Sequence, residues 1–63
     1  MGYLTIKEVA ARLRVSERSV RRWLLGGELK GFRFGDRAGW RVREEDLEAF
    51  VARLMEQQGR EER

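Results

Sequence analysis

Three closely spaced arginines are the residues of this sequence best suited to binding chemistry. Arg21 and Arg22 stand three and four positions after Arg18, so on a helix all three share one face. The apolar residues of the opposite face are Val20, Trp23 and Leu24. Guanidinium groups bind phosphates and the acceptor edge of guanine bidentately. We therefore expect these three arginines to bind duplex DNA.

A second group of arginines lies further along the chain, where every second residue is apolar. Residues 30–34 and 40–43 alternate apolar with basic side chains, which predicts a β-hairpin closed by a glycine-rich turn. We expect the aromatic side of this hairpin to face the core. Arg33 and Arg41 would then project from its outer face, with Arg37 at the tip. Such a hairpin would be a wing that contacts the DNA backbone or the minor groove.

Two other interpretations of these side chains stay open at this point. The arginines could be solvated side chains that pair with acids nearby, namely Glu17, Glu28 and Asp36. Alternatively, Trp40 and Tyr3 could stack on the bases of single-stranded DNA or RNA. In so short a chain, aromatic residues are more simply explained as core. The residues that we expect in the core on this ground are Trp23, Phe32, Phe34, Trp40 and Phe50.

Capping signals and apolar spacing predict the two helices that position the first arginine group. Thr5 and Glu8 form a capping-box pattern, which predicts a helix from residue 6 to about Leu13. Ser16 is a suitable N-cap for a second helix over 17–25, which the following glycine pair would end. The connection between these helices is so short that it predicts a helix-turn-helix.

A third helix is predicted over residues 44–58. Its acidic first turn suits the positive end of the helix dipole. Its apolar stripe consists of Leu47, Phe50, Val51 and Leu54. Gly59 is expected to end it. The predicted organisation is a single domain over 1–58 and a disordered tail over 59–63.

The composition argues against an enzyme. The 63 residues contain no cysteine and no histidine, which excludes disulfides and thiolate metal sites and removes the commonest general base. The helix dipole explains the acidic cluster at 44–46. We expect no catalytic residues, no cofactor and no metal. The sequence has neither a membrane-spanning apolar stretch nor a signal-peptide pattern, so we expect a cytoplasmic protein without membrane partners.

The charge is divided unevenly along the chain. Residues 1–43 hold eleven basic and four acidic residues, a net charge of +7. Residues 44–63 hold three basic and seven acidic residues, a net charge of −4. A basic body with an acidic end is typical of a polyanion-binding protein. It also suggests cooperative self-association on DNA, with the wing of one copy against the closing helix of the next.

Taken in order, four segments of the chain resemble the excisionase-type, MerR-like helix-turn-helix family. Residues 3–10 resemble its first helix, and 15–24 resemble its second helix. Residues 27–35 and 40–50 resemble its wing and closing helix. The resemblance implies a mostly α winged helix-turn-helix with a small β-hairpin, in the order α-α-β-β-α. It covers about residues 3–54, nearly the whole chain.

The resemblance also implies a function, namely sequence-preferring binding of double-stranded DNA. The second helix would read the major groove through Arg18, Ser19, Arg21 and Arg22. The wing would contact the backbone or minor groove through Arg33, Arg37 and Arg41. The role would be that of a recombination directionality factor or of a small transcription regulator, in the cytoplasm and associated with the nucleoid. The alternative is an adaptor that docks a recombinase or RNA polymerase through its closing helix.

Overall fold

Three helices and three short strands make up the fold, which we describe from a computed structural model over residues 2–35 and 39–61. In chain order the elements are β1 (Tyr3–Leu4), α1 (Ile6–Leu13), α2 (Glu17–Gly26), β2 (Phe32–Arg33), β3 (Trp40–Arg43) and α3 (Glu44–Glu61). This is the mostly helical, winged helix-turn-helix architecture that the sequence predicts. The strand β1 was not predicted from the sequence, because two residues are too few to show the alternating pattern of a strand.

The N-cap residues predicted for the first two helices occupy those positions. The backbone N–H of Glu8 donates to Thr5 Oγ1 at 3.1 Å, and the Thr5 N–H donates to Glu8 Oε1 at 2.9 Å. These reciprocal bonds complete a capping box at the start of α1. At α2, the N–H of Ser19 donates to Ser16 Oγ at 3.1 Å. Local capping chemistry therefore fixes where both helices begin.

Two left-handed residues end these helices. Arg14 follows α1 with φ 60° and ψ 47°, and it turns the chain toward α2. Gly27 follows α2 with φ 83°, where a glycine carries no steric penalty. The turn between α1 and α2 therefore depends on a non-glycine residue in a conformation that most residues avoid.

The closing helix is longer than predicted. It runs to Glu61, so Gly59 does not end it. A glycine lowers helix propensity without forbidding a helix, and nothing in the described structure requires a turn there. The helix thus extends into the stretch predicted as a tail, of which residues 62–63 lie outside the described part. The domain boundary after residue 58 stays a prediction.

The sheet has the strand order β1–β3–β2, and both pairings are antiparallel. In the first pair Leu4 lies opposite Val42, and in the second Phe32 lies opposite Arg41. The inner face of the sheet covers the helices. Its buried residues join Leu29, from the segment between α2 and β2, and side chains from all three helices. Together they form the core: Leu4, Ile6, Val9, Ala10, Val20, Leu24, Leu29, Val42, Leu47 and Phe50.

Part of the predicted aromatic core is wrong. Phe50 is buried, and Trp23 and Trp40 pack against the core, but Phe32 and Phe34 are 38% and 55% exposed. The pairing register explains the difference. Residues opposite each other in an antiparallel pair share a face, so Phe32 lies on the outer face with Arg41.

Gly31, the residue before β2, allows the chain to pass close to the core on the inner face of the sheet. A Cβ at Gly31 would lie 2.6 Å from Leu24 Cδ2 and 3.0 Å from the Arg41 carbonyl oxygen. The strand therefore approaches α2 and β3 with its backbone, leaving no room for a side chain. The large rings of Phe32 and Phe34 consequently lie on the solvent side, where there is room for them.

Candidate nucleic-acid interface

The exposed face of α2 carries the arginine group identified in the sequence. Val20 and Leu24 are buried on one side of this helix, and Arg18, Arg21 and Arg22 are exposed on the other. Leu25 shares the exposed side and is 70% accessible. The helix thus presents three guanidinium groups to solvent. The opposite face of α2 is packed into the core, which fixes the position of the helix.

These three arginines differ from others in their surroundings. Within residues 2–35 and 39–61, neither an ion pair nor a side-chain hydrogen bond involves Arg18, Arg21 or Arg22. Arg53, by contrast, donates to the Glu28 carbonyl oxygen at 2.8 Å. The pairing of the α2 arginines with neighbouring acids, which was one interpretation of the sequence, does not occur here. Their hydrogen-bonding capacity is available to a ligand.

Ser19 is bound by the N-cap residue Ser16 at the start of the same helix. Its hydroxyl accepts a hydrogen bond from Ser16 Oγ at 3.1 Å, and the side chain is half-buried. A hydroxyl oxygen can both donate and accept, so this bond leaves the Ser19 hydroxyl able to donate to a further acceptor. A contact between Ser19 and DNA stays a prediction.

The predicted wing arginines do not lie together on one outer face. Arg33 is paired with Trp40, and its guanidinium lies 5.9 Å from the centroid of the Trp40 ring. Arg41 lies on the opposite face, 5.9 Å from the ring of Phe34, and it donates to the Trp40 carbonyl oxygen at 2.9 Å. The prediction of a shared face for Arg33 and Arg41 is therefore wrong. Arg37, the predicted tip residue, lies outside the described residues.

Arg14 is a candidate that sequence reasoning missed. It is exposed in the turn between the two helices, two residues before the N-cap Ser16. Its left-handed backbone is where glycine or asparagine would be expected. This conformation is visible only in the structure, so the sequence alone carried no signal for this candidate.

The start of α3 has the opposite electrostatic character. Arg43 forms ion pairs with Asp46 at 3.0 Å and with Glu45 at 3.1 Å. The hydrogen bond and the charge of Asp46, followed by the charge of Glu45, raise the pKa of Arg43 above its usual value. Arg12 also lies 3.8 Å from Glu44. The basic residues near this end are thus compensated, unlike those of α2.

The described residues offer neither a metal site nor a membrane-spanning helix. No cluster of three or more aspartate, glutamate, histidine or cysteine side chains there could hold a metal ion. No helix there is long and apolar enough to cross a membrane.

The model of a family described as "Helix-turn-helix domain" matches residues 3–55. The chain belongs to this helix-turn-helix family. The match spans the two helices, the hairpin and most of α3, so it includes every described element that positions the arginines. Membership supports binding of double-stranded DNA, in agreement with the exposed α2 face.

A regulatory protein is among the relatives of this helix-turn-helix domain. The chain is 51% identical over 49 residues to the transcriptional repressor DcmR of Methylorubrum extorquens. The matched region is 78% of this chain but only 18% of that repressor, so the chain spans less than a fifth of its relative's length. No solved structure matches the chain.

Proposed function

We propose that this helix-turn-helix domain binds duplex DNA with sequence preference by placing α2 in the major groove. The observation that carries the proposal is the exposed α2 face, whose arginines have no ion-pair partner among the described residues. Arg18, Arg21 and Arg22 can contact guanine edges and phosphates, and Ser19 can donate to a phosphate. Leu25 would make an apolar contact with the methyl group of a thymine.

The wing and the interhelical turn would hold this helix in register. We propose that Arg33, Arg37 and Arg41 contact the backbone or minor groove beside the α2 site. Because Arg33 and Arg41 lie on opposite faces, they would reach different phosphates, one on each side of the hairpin. Arg14 would contact a phosphate next to the N-terminus of α2, where the helix dipole also attracts anions.

The proposed role is regulation of transcription. Its support is the match to the repressor DcmR, which extends over most of this chain. A role in directing recombination would use the same DNA-binding surface, and the resemblance to excisionases favours it as the second form of the function. In either role the protein would act in the cytoplasm, associated with the nucleoid, without catalysing a reaction.

The proposal is tested by the anisotropy of labelled duplex DNA titrated with the protein at two salt concentrations. We expect Arg18→Ala/Arg22→Ala to weaken binding at least about tenfold, since one good bidentate arginine–guanine pair contributes about 1–3 kcal/mol. The slope of log affinity against log salt should fall by about one for each phosphate that the variant no longer binds.

The matched control is Arg12→Ala/Arg53→Ala, which removes the same charge from sites away from α2. These two arginines contact Glu44 and the Glu28 carbonyl oxygen. We expect the control to bind duplex nearly as tightly as the wild type. Equally weakened binding in both double variants would mean that only net charge matters, and the α2 assignment would fail.

An adaptor function is the second candidate, and one surface of α3 favours it. An apolar groove between α1 and α3 is lined by Leu13, Leu47, Val51 and Met55, and Met55 is 68% exposed. A recombinase or RNA polymerase could dock there. A Met55→Asp variant that binds duplex normally but loses regulation in cells would support this function. Unchanged regulation would exclude this groove.

A further inference from the structure

Glu17 is the single acidic residue of α2, a helix whose exposed side is otherwise basic or neutral. From Arg14 to Leu25 the sequence holds four arginines and this one acid. Glu17 is the first residue of α2, and it is exposed. A carboxylate repels the phosphates of DNA, so it weakens the binding of any polyanion to this helix. Its place at the start of the proposed DNA-binding helix therefore requires an explanation.

The Glu17 carboxylate has no partner within the part of the protein that the structure describes. Its side chain takes part in no ion pair or hydrogen bond with residues 2–35 or 39–61. Arg21 lies one helical turn further on, four positions from Glu17, a spacing at which opposite charges commonly pair. These two exposed side chains form no such pair. Both are therefore available to a ligand.

The helix dipole accounts for only part of this placement. A negative charge in the first turn of a helix is favourable, and Glu44 occupies the same first position in α3. Glu44, however, also lies 3.8 Å from Arg12, so a cation compensates its charge. In α2, Ser16 already caps the helix by accepting a hydrogen bond from the Ser19 N–H at 3.1 Å. The start of α2 is thus secured without Glu17.

The edges of the base pairs supply the partner that Glu17 lacks. In the major groove cytosine presents an N4 amino donor, whereas guanine and thymine present acceptors. A carboxylate accepts from the amino group and is repelled by the acceptors. Adenine also carries an amino donor, but its N7 acceptor lies beside that group and repels a carboxylate. Cytosine is therefore the base that suits Glu17 best.

We propose that Glu17 determines sequence specificity by accepting a hydrogen bond from the N4 amino group of a cytosine in the major groove. This inference rests on the proposed function, because it requires α2 to lie in that groove. Arg21, one turn along the same side of the helix, would bind a guanine in a neighbouring base pair. Where no cytosine meets it, the carboxylate faces acceptors and phosphates, so it also weakens binding to other sequences.

The test begins with a duplex that the full wild-type chain selects from a randomised library. Its single-base-pair variants are then titrated and followed by anisotropy. We expect one position at which cytosine is preferred by at least about fivefold, and Glu17→Ala should abolish the preference at that position only. Glu17→Gln should change the preference there to adenine, because a glutamine amide matches the N6 and N7 groups of adenine. Both variants should bind random duplex more tightly than the wild type, because a repulsive charge is removed.

Glu44→Gln is the matched control, because it removes the same charge from the same helix position in α3. We expect it to keep the wild-type base preference at every position. Circular dichroism verifies that all the variants fold. A role confined to the helix dipole would change the affinity for all sequences equally, and that result for Glu17→Ala would overturn the proposal.

The failure of this inference is distinguishable from the failure of the proposed function. If Arg18→Ala/Arg22→Ala loses duplex binding while Glu17→Ala keeps every base preference, only the role of Glu17 is overturned. If the wild type selects no duplex, both are overturned together. A preference that Glu17→Ala abolishes at a position occupied by a base other than cytosine would overturn the assignment to the N4 amino group.

Discussion

At the scale of single residues, Gly31 shows how the absence of a side chain determines which surface the protein exposes. Its backbone fills the space between Leu24 and β3, with a hypothetical Cβ only 2.6 Å from Leu24 Cδ2. Leu24 is part of the core, so it cannot move freely to admit a new atom. The position therefore links the packing of α2 to the placement of the wing.

We predict that Gly31→Ala lowers the free energy of unfolding by about 1–3 kcal/mol, the range typical of overpacked sites. Gly26→Ala is the matched control, because a Cβ there meets nothing within 4 Å and the residue is helical. That control should stabilise the protein by about 0.4–1 kcal/mol. Urea unfolding followed by circular dichroism measures both. A Gly31→Ala protein as stable as the wild type would contradict the close approach of β2.

At the scale of elements, the turn between α1 and α2 sets the angle at which the second helix is presented. Arg14 has φ 60°, and its N–H and that of Val15 both donate to the Ala10 carbonyl oxygen. A left-handed backbone costs an L-residue about 1–2 kcal/mol, which glycine avoids. An arginine here is less favourable for stability than glycine, which fits the proposed phosphate contact.

We predict that Arg14→Gly raises the free energy of unfolding by up to about 1 kcal/mol, because the relief of about 1–2 kcal/mol of strain is partly offset by about 0.4–1 kcal/mol of added unfolded-state entropy. The same variant should weaken duplex binding, because it also removes a charge. Arg14→Lys should keep both properties near those of the wild type, since it retains the charge and the backbone strain. Thermal unfolding and duplex titration of the two variants provide the measurements. Stabilisation with unchanged affinity and salt dependence would show that Arg14 serves no DNA contact.

The elements also show which features the sequence could predict. Both N-caps and the arginine face of α2 follow from patterns within a few residues, so local physics was sufficient. The prediction placed Phe32 on the inner face of the hairpin and Arg33 on the outer face, and both assignments were wrong. In the structure each aromatic residue of one strand pairs with an arginine of the other, Phe32 with Arg41 and Trp40 with Arg33, so the two strands cannot both turn their rings inward. Register is a tertiary property, decided here by the close approach at Gly31. The end of α3 was missed because a glycine permits either a stop or a continuation.

At the scale of the whole molecule, charge is separated between the α2 side and α3. The exposed acids of α3 include Glu45, Glu48 and Glu56, whereas α2 presents uncompensated arginines within the described part of the chain. Two copies on adjacent DNA sites could therefore attract each other, with the basic wing of one against the acidic helix of the next. The attraction would act between neighbours and leave the binding of each copy to DNA unaffected.

We predict that Glu48→Lys/Glu56→Lys binds a single DNA site as tightly as the wild type or more tightly, because added positive charge favours a polyanion. Binding to two adjacent sites should lose cooperativity, since the wing of one copy would then meet like charge on the next. Titrating DNA with one site and with two sites separates these effects. Glu48→Gln/Glu56→Gln, which removes charge without reversing it, should give an intermediate result. Cooperativity that is the same in all three proteins would exclude α3 as the interface between copies and leave the DNA itself as the source of coupling.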